Sequence, residues 1–168
     1  MNVKIETRIE DVTLRLAEEK DISLILRFIK ELADYEELLH EVVATEEILR
    51  ESLFERKAAE VVIAEFKGEP VGFALFFHNF STFLGRPGLY LEDLYVQPQM
   101  RGKGIGKLLL AYLAKLAIER GCGRFEWWCL DWNKSSIDFY KSIGAIPMDE
   151  WTVYRVCDKA LVDLAEEF

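Results

Sequence analysis

The 168-residue chain is short of the residues that build most special-purpose architectures. Its three cysteines, Cys122, Cys129 and Cys157, are odd in number and lack C-x-x-C spacing. That argues against a disulfide framework and a cysteine zinc site, and they read as reduced core residues. Two histidines, His40 and His78, lie far apart and fit neither H-E-x-x-H nor a serine–histidine pattern, so no metal is expected and a triad hydrolase lacks its parts. Ten glycines and four prolines are too few for a collagenous or low-complexity chain. Positive charge is also scarce: 21 basic against 30 acidic side chains give −9 and a sequence pI near 4.9. A broad basic face for nucleic acid or an anionic membrane is thereby excluded, and a cationic partner suits the chain better. The longest apolar stretches, around 61–64 and 71–77, fall far short of the ~20 residues of a membrane span. Met1-Asn2-Val3-Lys4-Ile5-Glu6 has no apolar signal-peptide core, so the expected location is the cytoplasm.

What is present is ordinary globular material, 51% hydrophobic, 12% aromatic and 30% charged, in a length that suits one domain over residues 1–168. Residues 12–16 alternate as a half-buried strand, and from Asp21, a candidate N-cap, Ile22, Ile25, Leu26, Ile29, Leu32 and Ala33 recur at helical spacing. Thr45 is placed to cap a second, shorter helix. Residues 60–66 and 71–77 predict a hairpin across Lys67-Gly68-Glu69-Pro70. A loop over 79–88 leads to an aromatic strand over 89–96, and a long helix over 105–120 ends at Gly121 as a left-handed cap. A strand over 124–130, a helix opened by Asn133 or Ser135 and closed at Gly144, a strand over 151–157 and a tail helix over 160–168 complete the order. The fold class is α/β in the mixed α+β sense, without a repeat or linker that divides the chain.

Arg101-Gly102-Lys103-Gly104-Ile105-Gly106-Lys107 joins the strongest strand to the strongest helix. Glycines let the backbone take positive φ and approach a ligand closely, and free N–H groups at a helix start favour an anion. A dinucleotide fingerprint fails because Lys107 stands where its third glycine belongs, and a P-loop fails at Leu108. The turn, together with Tyr90-Leu91-Glu92-Asp93, Leu130-Asp131-Trp132-Asn133, the helical block 25–36 and Phe139-Tyr140-Lys141-x-x-Gly144-Ala145, resembles the diamine acetyltransferase branch of the GNAT superfamily. Asn79–Arg86, which lacks an acidic residue, looks like the thialysine-acetylating relatives in that branch.

The resemblance implies the GNAT fold, a mostly antiparallel sheet flanked by helices, and acetyl-CoA as cosubstrate. It implies that Arg101, Gly102, Lys103, Gly104, Ile105, Gly106 and Lys107 hold the pyrophosphate. It places Asn133, Lys134, Ser135 and Ser136 on the CoA arm, and backbone N–H groups of Leu94, Tyr95 and Val96 at the developing oxyanion. Transfer to an amine needs a neutral nitrogen, since a free alkylamine has a pKa near 10.4. It also needs a proton for the departing thiolate. Glu92 is the candidate base and substrate contact, and Tyr140 the candidate acid. Adjacent Asp93 points to the opposite face if the strand is regular, and reads as structural. Tyr35, Glu36, Glu150 and Trp151 match acceptor-binding positions, where carboxylates beside aromatic faces suit an ammonium-bearing chain. The implied activity is acetyl transfer from acetyl-CoA to a primary amine of a small lysine-like or diamine acceptor, by direct attack in a ternary complex, in a homodimer. Protein or peptide N-acetylation and noncatalytic acyl-CoA binding are the alternatives.

Overall fold

The computed structural model, which describes residues 4–168, has strands β1 (Ile5–Glu6), which the sequence pattern does not predict, β2 (Val12–Leu16), β3 (Glu60–Phe66), β4 (Glu69–Ser81), β5 (Arg86–Val96) and β6 (Arg124–Trp127). They form one sheet in chain order, antiparallel from β1 to β5 and parallel between β5 and β6. Five helices accompany them among the described residues: α1 (Ile22–Tyr35), α2 (Glu46–Arg50), α3 (Ile105–Glu119), α4 (Lys134–Ser142) and α5 (Asp158–Ala165). The mixed α/β class therefore agrees with the sequence. Two compact units are present, one ending at Trp128 and the other running Cys129–Phe168.

The first unit holds the whole sheet. Val61 and Ile63 of β3, Phe73 of β4 and Tyr95 of β5 pack with Ile22, Ile25 and Phe28 of α1 and with Leu49 and Leu53. The Phe28 and Phe73 rings lie 5.6 Å apart at the centre of this layer. Because side chains alternate along a strand, Val62, Ala64, Ala74 and Phe76 face the other way, where α3 crosses β3, β4 and β5 with Leu109 and Leu113 fully buried. The sheet is thus covered on both faces, and the strand–turn–helix from β5 to α3 passes over its end.

Several expectations change for physical reasons. Most of the loop foreseen over 79–88 is strand, since β4 and β5 stay paired out to Ser81 and Arg86 and only 82–85 turn. Gly88 serves close strand packing rather than a turn: a Cβ there would stand 2.2 Å from Asn79 Oδ1. The strand foreseen over 124–130 ends at Trp127, and the one over 151–157 does not form. Its alternation is real, but the second unit has no other strand to complete a ladder, and a strand alone satisfies none of its backbone groups. Asp21 does not cap α1 with its side chain, because Arg15 takes it, Nη1 and Nη2 donating to the carboxylate at 2.7 and 2.9 Å. Arg15 also donates to Glu65 at 2.6 Å, which makes a buried ionic network. Thr45 does cap α2, accepting from the Ile48 N–H at 3.2 Å. The cysteines are not the core residues expected: Cys122 and Cys129 are half-buried and Cys157 is exposed.

Candidate active site

The turn between β5 and α3 is held from below by buried Met100 and Ile105, while residues 101–104 are exposed. Arg101 Nε donates to the Val96 carbonyl at 3.0 Å and closes the turn on the end of β5. Gly102 and Gly104 have φ of +76° and +83°, left-handed values that a side chain penalises by ~1–2 kcal/mol. Gly104 is the N-cap of α3, so no side chain caps the helix, and its first turn carries no acidic residue. Gly106 is more telling. Its φ is not positive and a Cβ would meet only Val96 Cγ2, at 3.9 Å, so the protein's own packing does not call for glycine inside this helix. Glycine there costs ~1 kcal/mol of helix propensity, which close approach by a ligand accounts for. Exposed N–H groups, the helix dipole and the cations of Arg101, Lys103 and Lys107 fit a pyrophosphate. The residues present therefore suit CoA.

Upstream of the turn, β5 is irregular. Leu75 pairs with Asp93 but Phe76 pairs with Leu91, so Glu92 is an extra residue, a β-bulge. The expectation that Glu92 and Asp93 point to opposite faces assumed a regular strand, and the bulge removes that assumption. Glu92 is exposed, whereas the Asp93 carboxyl is pushed up to about 6 by burial and by the negative charges of Glu92 and Glu36. Burial also raises Glu36 at the end of α1. The structure thus brings Glu36, Glu92 and Asp93 into one electrostatic neighbourhood, without converging on a metal position. β6 pairs with β5 only over Gly88–Leu91, so the stretch 92–96, beginning with the bulge, runs past the end of β6. Leu94, Tyr95 and Val96, the expected oxyanion donors, are on this stretch of β5.

An aromatic group flanks the bulge, with Tyr90 against Phe77 at 5.0 Å and edge-on to Trp128 at 6.1 Å. Burial and the charges of Glu92 and Glu126 raise the Tyr90 phenol. Tyr35 ends α1 half-exposed, and the Arg101 guanidinium lies 4.6 Å from its ring centroid. The Tyr95 phenol is pushed up to about 12 by burial and by its hydrogen bond to Glu31. Sequence reasoning missed the electrostatics of Asp93 and the link from Glu31 to Tyr95. The spacing of Arg27, Glu31 and Tyr35 on one helical stripe was the available signal for the latter.

The remaining candidates belong to the second unit. Asn133 caps α4, its Oδ1 accepting from the Ser136 N–H at 3.3 Å, and Lys134, Ser135 and Ser136 form the first turn. Tyr140 is part-exposed on the same helix, with its ring centroid 5.6 Å from that of Phe139. Glu150 and Trp151 are exposed and outside regular structure. Nothing in the described residues forms a helix long and apolar enough to cross a membrane.

Comparison with known proteins agrees with this geometry. The acetyltransferase (GNAT) family matches residues 26–145. A thialysine N-epsilon-acetyltransferase of Sus scrofa is 40% identical, covering 92% of this chain and 97% of its own. The L-ornithine N5-acetyltransferase NATA1 of Arabidopsis thaliana is 32% identical over 88% of this chain and 85% of its own. Among solved structures, the integron cassette protein VCH_CASS6 from V. cholerae superposes with a TM-score of 0.78 at 29% identity, covering 93% of this chain and 98% of that one. The bulged strand, the glycine turn and the helix it opens lie inside the matched region, and the chain belongs to the GNAT family of acetyl-CoA-dependent acetyltransferases.

Proposed function

We propose that the whole chain works as one N-acetyltransferase domain, transferring acetyl from acetyl-CoA to the primary amine of a small cationic acceptor, thialysine or lysine-like or a short diamine. The observation that carries this reading is the bulge at Glu92, which sets a carboxylate at the open end of β5, beside Asp93 and Glu36 and directly before an anion-binding turn. The names of the related thialysine and ornithine enzymes support the acceptor class. The net charge of −9 favours approach of a cation.

Backbone amides from Gly102 to Lys107 hold the pyrophosphate, and Asn133, Lys134, Ser135 and Ser136 contact the CoA arm. Bound acetyl-CoA supplies a thioester carbon for attack and a thiolate that leaves. Glu92 takes a proton from the ammonium so that the nitrogen can form the new N–C bond as the C–S bond breaks. Backbone N–H groups of Leu94, Tyr95 and Val96 stabilise charge on the carbonyl oxygen, the Tyr140 hydroxyl protonates the thiolate, and the second proton, shed by the nitrogen as the amide forms, returns through solvent to the Tyr140 phenolate. Tyr35, Glu36, Glu150 and Trp151 orient the rest of the acceptor. The protein acts in the cytoplasm as a homodimer.

The test is thiol release from acetyl-CoA with a panel of thialysine, lysine, ornithine, short diamines, a basic peptide and a neutral arylamine. Thialysine, lysine-like amines or diamines should be turned over best. Glu92→Gln should lose most activity near neutral pH and recover part of it at alkaline pH, where more acceptor is already neutral. Preference for the arylamine or the peptide, or a Glu92→Gln profile parallel to wild type, refutes the acceptor and base assignments.

A further inference from the structure

We propose that Arg101 and Tyr35 form a positioning contact that couples the cosubstrate turn to the acceptor end of α1, so that CoA and a cationic acceptor favour each other's binding. The inference rests on the two-site reading above, and its new content is the energetic link between the sites.

Arg101 belongs to the turn, yet its side chain is directed at the helix that ends with the acceptor candidates. One edge of its guanidinium is fixed, Nε donating to the Val96 carbonyl at 3.0 Å. The plane lies over the Tyr35 ring, 4.6 Å from its centroid, and reaches Tyr95 at 6.0 Å. Tyr95 in turn is hydrogen-bonded to Glu31, and Glu31 pairs with Arg27 at 3.7 Å. Arg27, Glu31 and Tyr35 are spaced four residues apart and so share one stripe of α1. That stripe is tied to the end of β5 and to the turn through successive polar and cation–π contacts. Glu36, the first residue past α1, is part of the carboxylate neighbourhood around Asp93.

The arrangement sets two cations against one aromatic face. Arg101 lies over the Tyr35 ring, which the proposed function gives to an acceptor ammonium, and a phosphate at the turn attracts that same guanidinium. Bound CoA therefore draws Arg101 from Tyr35 and opens the ring to the acceptor. By linkage the acceptor must tighten CoA by the same factor.

The experiment measures the dissociation constant of free CoA, which cannot acetylate, by calorimetry with and without saturating thialysine. Wild type should bind CoA about two- to fivefold more tightly with thialysine present, the range that a partly exposed cation–π contact supports. Tyr35→Phe, which keeps the ring face, should preserve the ratio, whereas Tyr35→Leu and Arg101→Gln should each bring it to one. A merely structural role would change CoA affinity in both conditions and leave the ratio intact. With thialysine turned over in the thiol-release assay, a wild-type ratio of one or below, or an undiminished ratio in folded Tyr35→Leu or Arg101→Gln protein, overturns the coupling while the CoA site stands; thialysine that is not turned over overturns the acceptor reading instead. Wild-type protein that binds no CoA overturns the parent reading as well.

Discussion

Replacing Asp93 by Asn removes a charge from a place that disfavours it and keeps the shape of the side chain. Burial, with Glu92 and Glu36 nearby, raises this carboxyl from an ordinary 3.8 to about 6. Above both values the ionised form is then disfavoured in the native state by up to about 3 kcal/mol relative to the unfolded chain. The sign follows from proton uptake. Between about pH 4 and 6 the native state binds the proton that the unfolded chain has lost, so the favourable contribution is complete below pH 4 and disappears as pH rises through about 6. Asp93→Asn should therefore be more stable than wild type by roughly 1–3 kcal/mol at pH 8, and close to it at pH 3.5. Urea unfolding across that range measures the difference directly. Acceptor binding should move the other way: without the Asp93 charge, KM for thialysine should rise several-fold at pH 8, with less change for a neutral amine. No stabilisation at pH 8 would show that Asp93 is an ordinary solvated carboxylate, and equal stabilisation at both pH extremes would show that the gain does not come from its charge.

Tyr140→Phe keeps the ring and loses the hydroxyl, so turnover should fall by ~10²–10⁴-fold with the melting temperature little changed; wild-type turnover when chemistry limits the rate removes Tyr140 as the acid. Arg15→Ala removes the cation that both Asp21 and Glu65 hold in the buried network, leaving Glu65 with Lys4 alone, and should cost about 3–5 kcal/mol in urea unfolding. Burial raises both carboxyls, but the hydrogen bonds and charge of Arg15, together with the Glu18 N–H at Asp21 and Lys4 at Glu65, hold them below their ordinary values. Their stabilising effect is thus present above pH ~4.5 and lost as pH falls further, so the penalty of the substitution should shrink in acid.

The glycine turn was legible because its chemistry is local: positive φ at Gly102 and Gly104 and the start of α3 follow from adjacent residues. The blocks around Glu92 and Tyr140 were legible as a resemblance. Asn79–Gly88 misled because proline and glycine have uses other than turning: Gly88 answers to Asn79 on the next strand, a neighbour created only by β4–β5 pairing. Residues 151–157 misled in the opposite direction, since alternation describes what one strand offers and not whether another receives it.

Composition and periodicity by themselves determined the α/β class, the main helices and the strand–turn–helix unit, because each depends on contacts a few residues apart or on which face is apolar. Tertiary structure alone decided that Glu92 is the extra residue of a bulge, that Asp93 shares a field with Glu36, and that Arg101 lies over Tyr35. The physical reason is the range of the forces. A register shift is defined only by a paired strand, and a carboxyl's proton affinity by the burial and charge that distant segments bring to it.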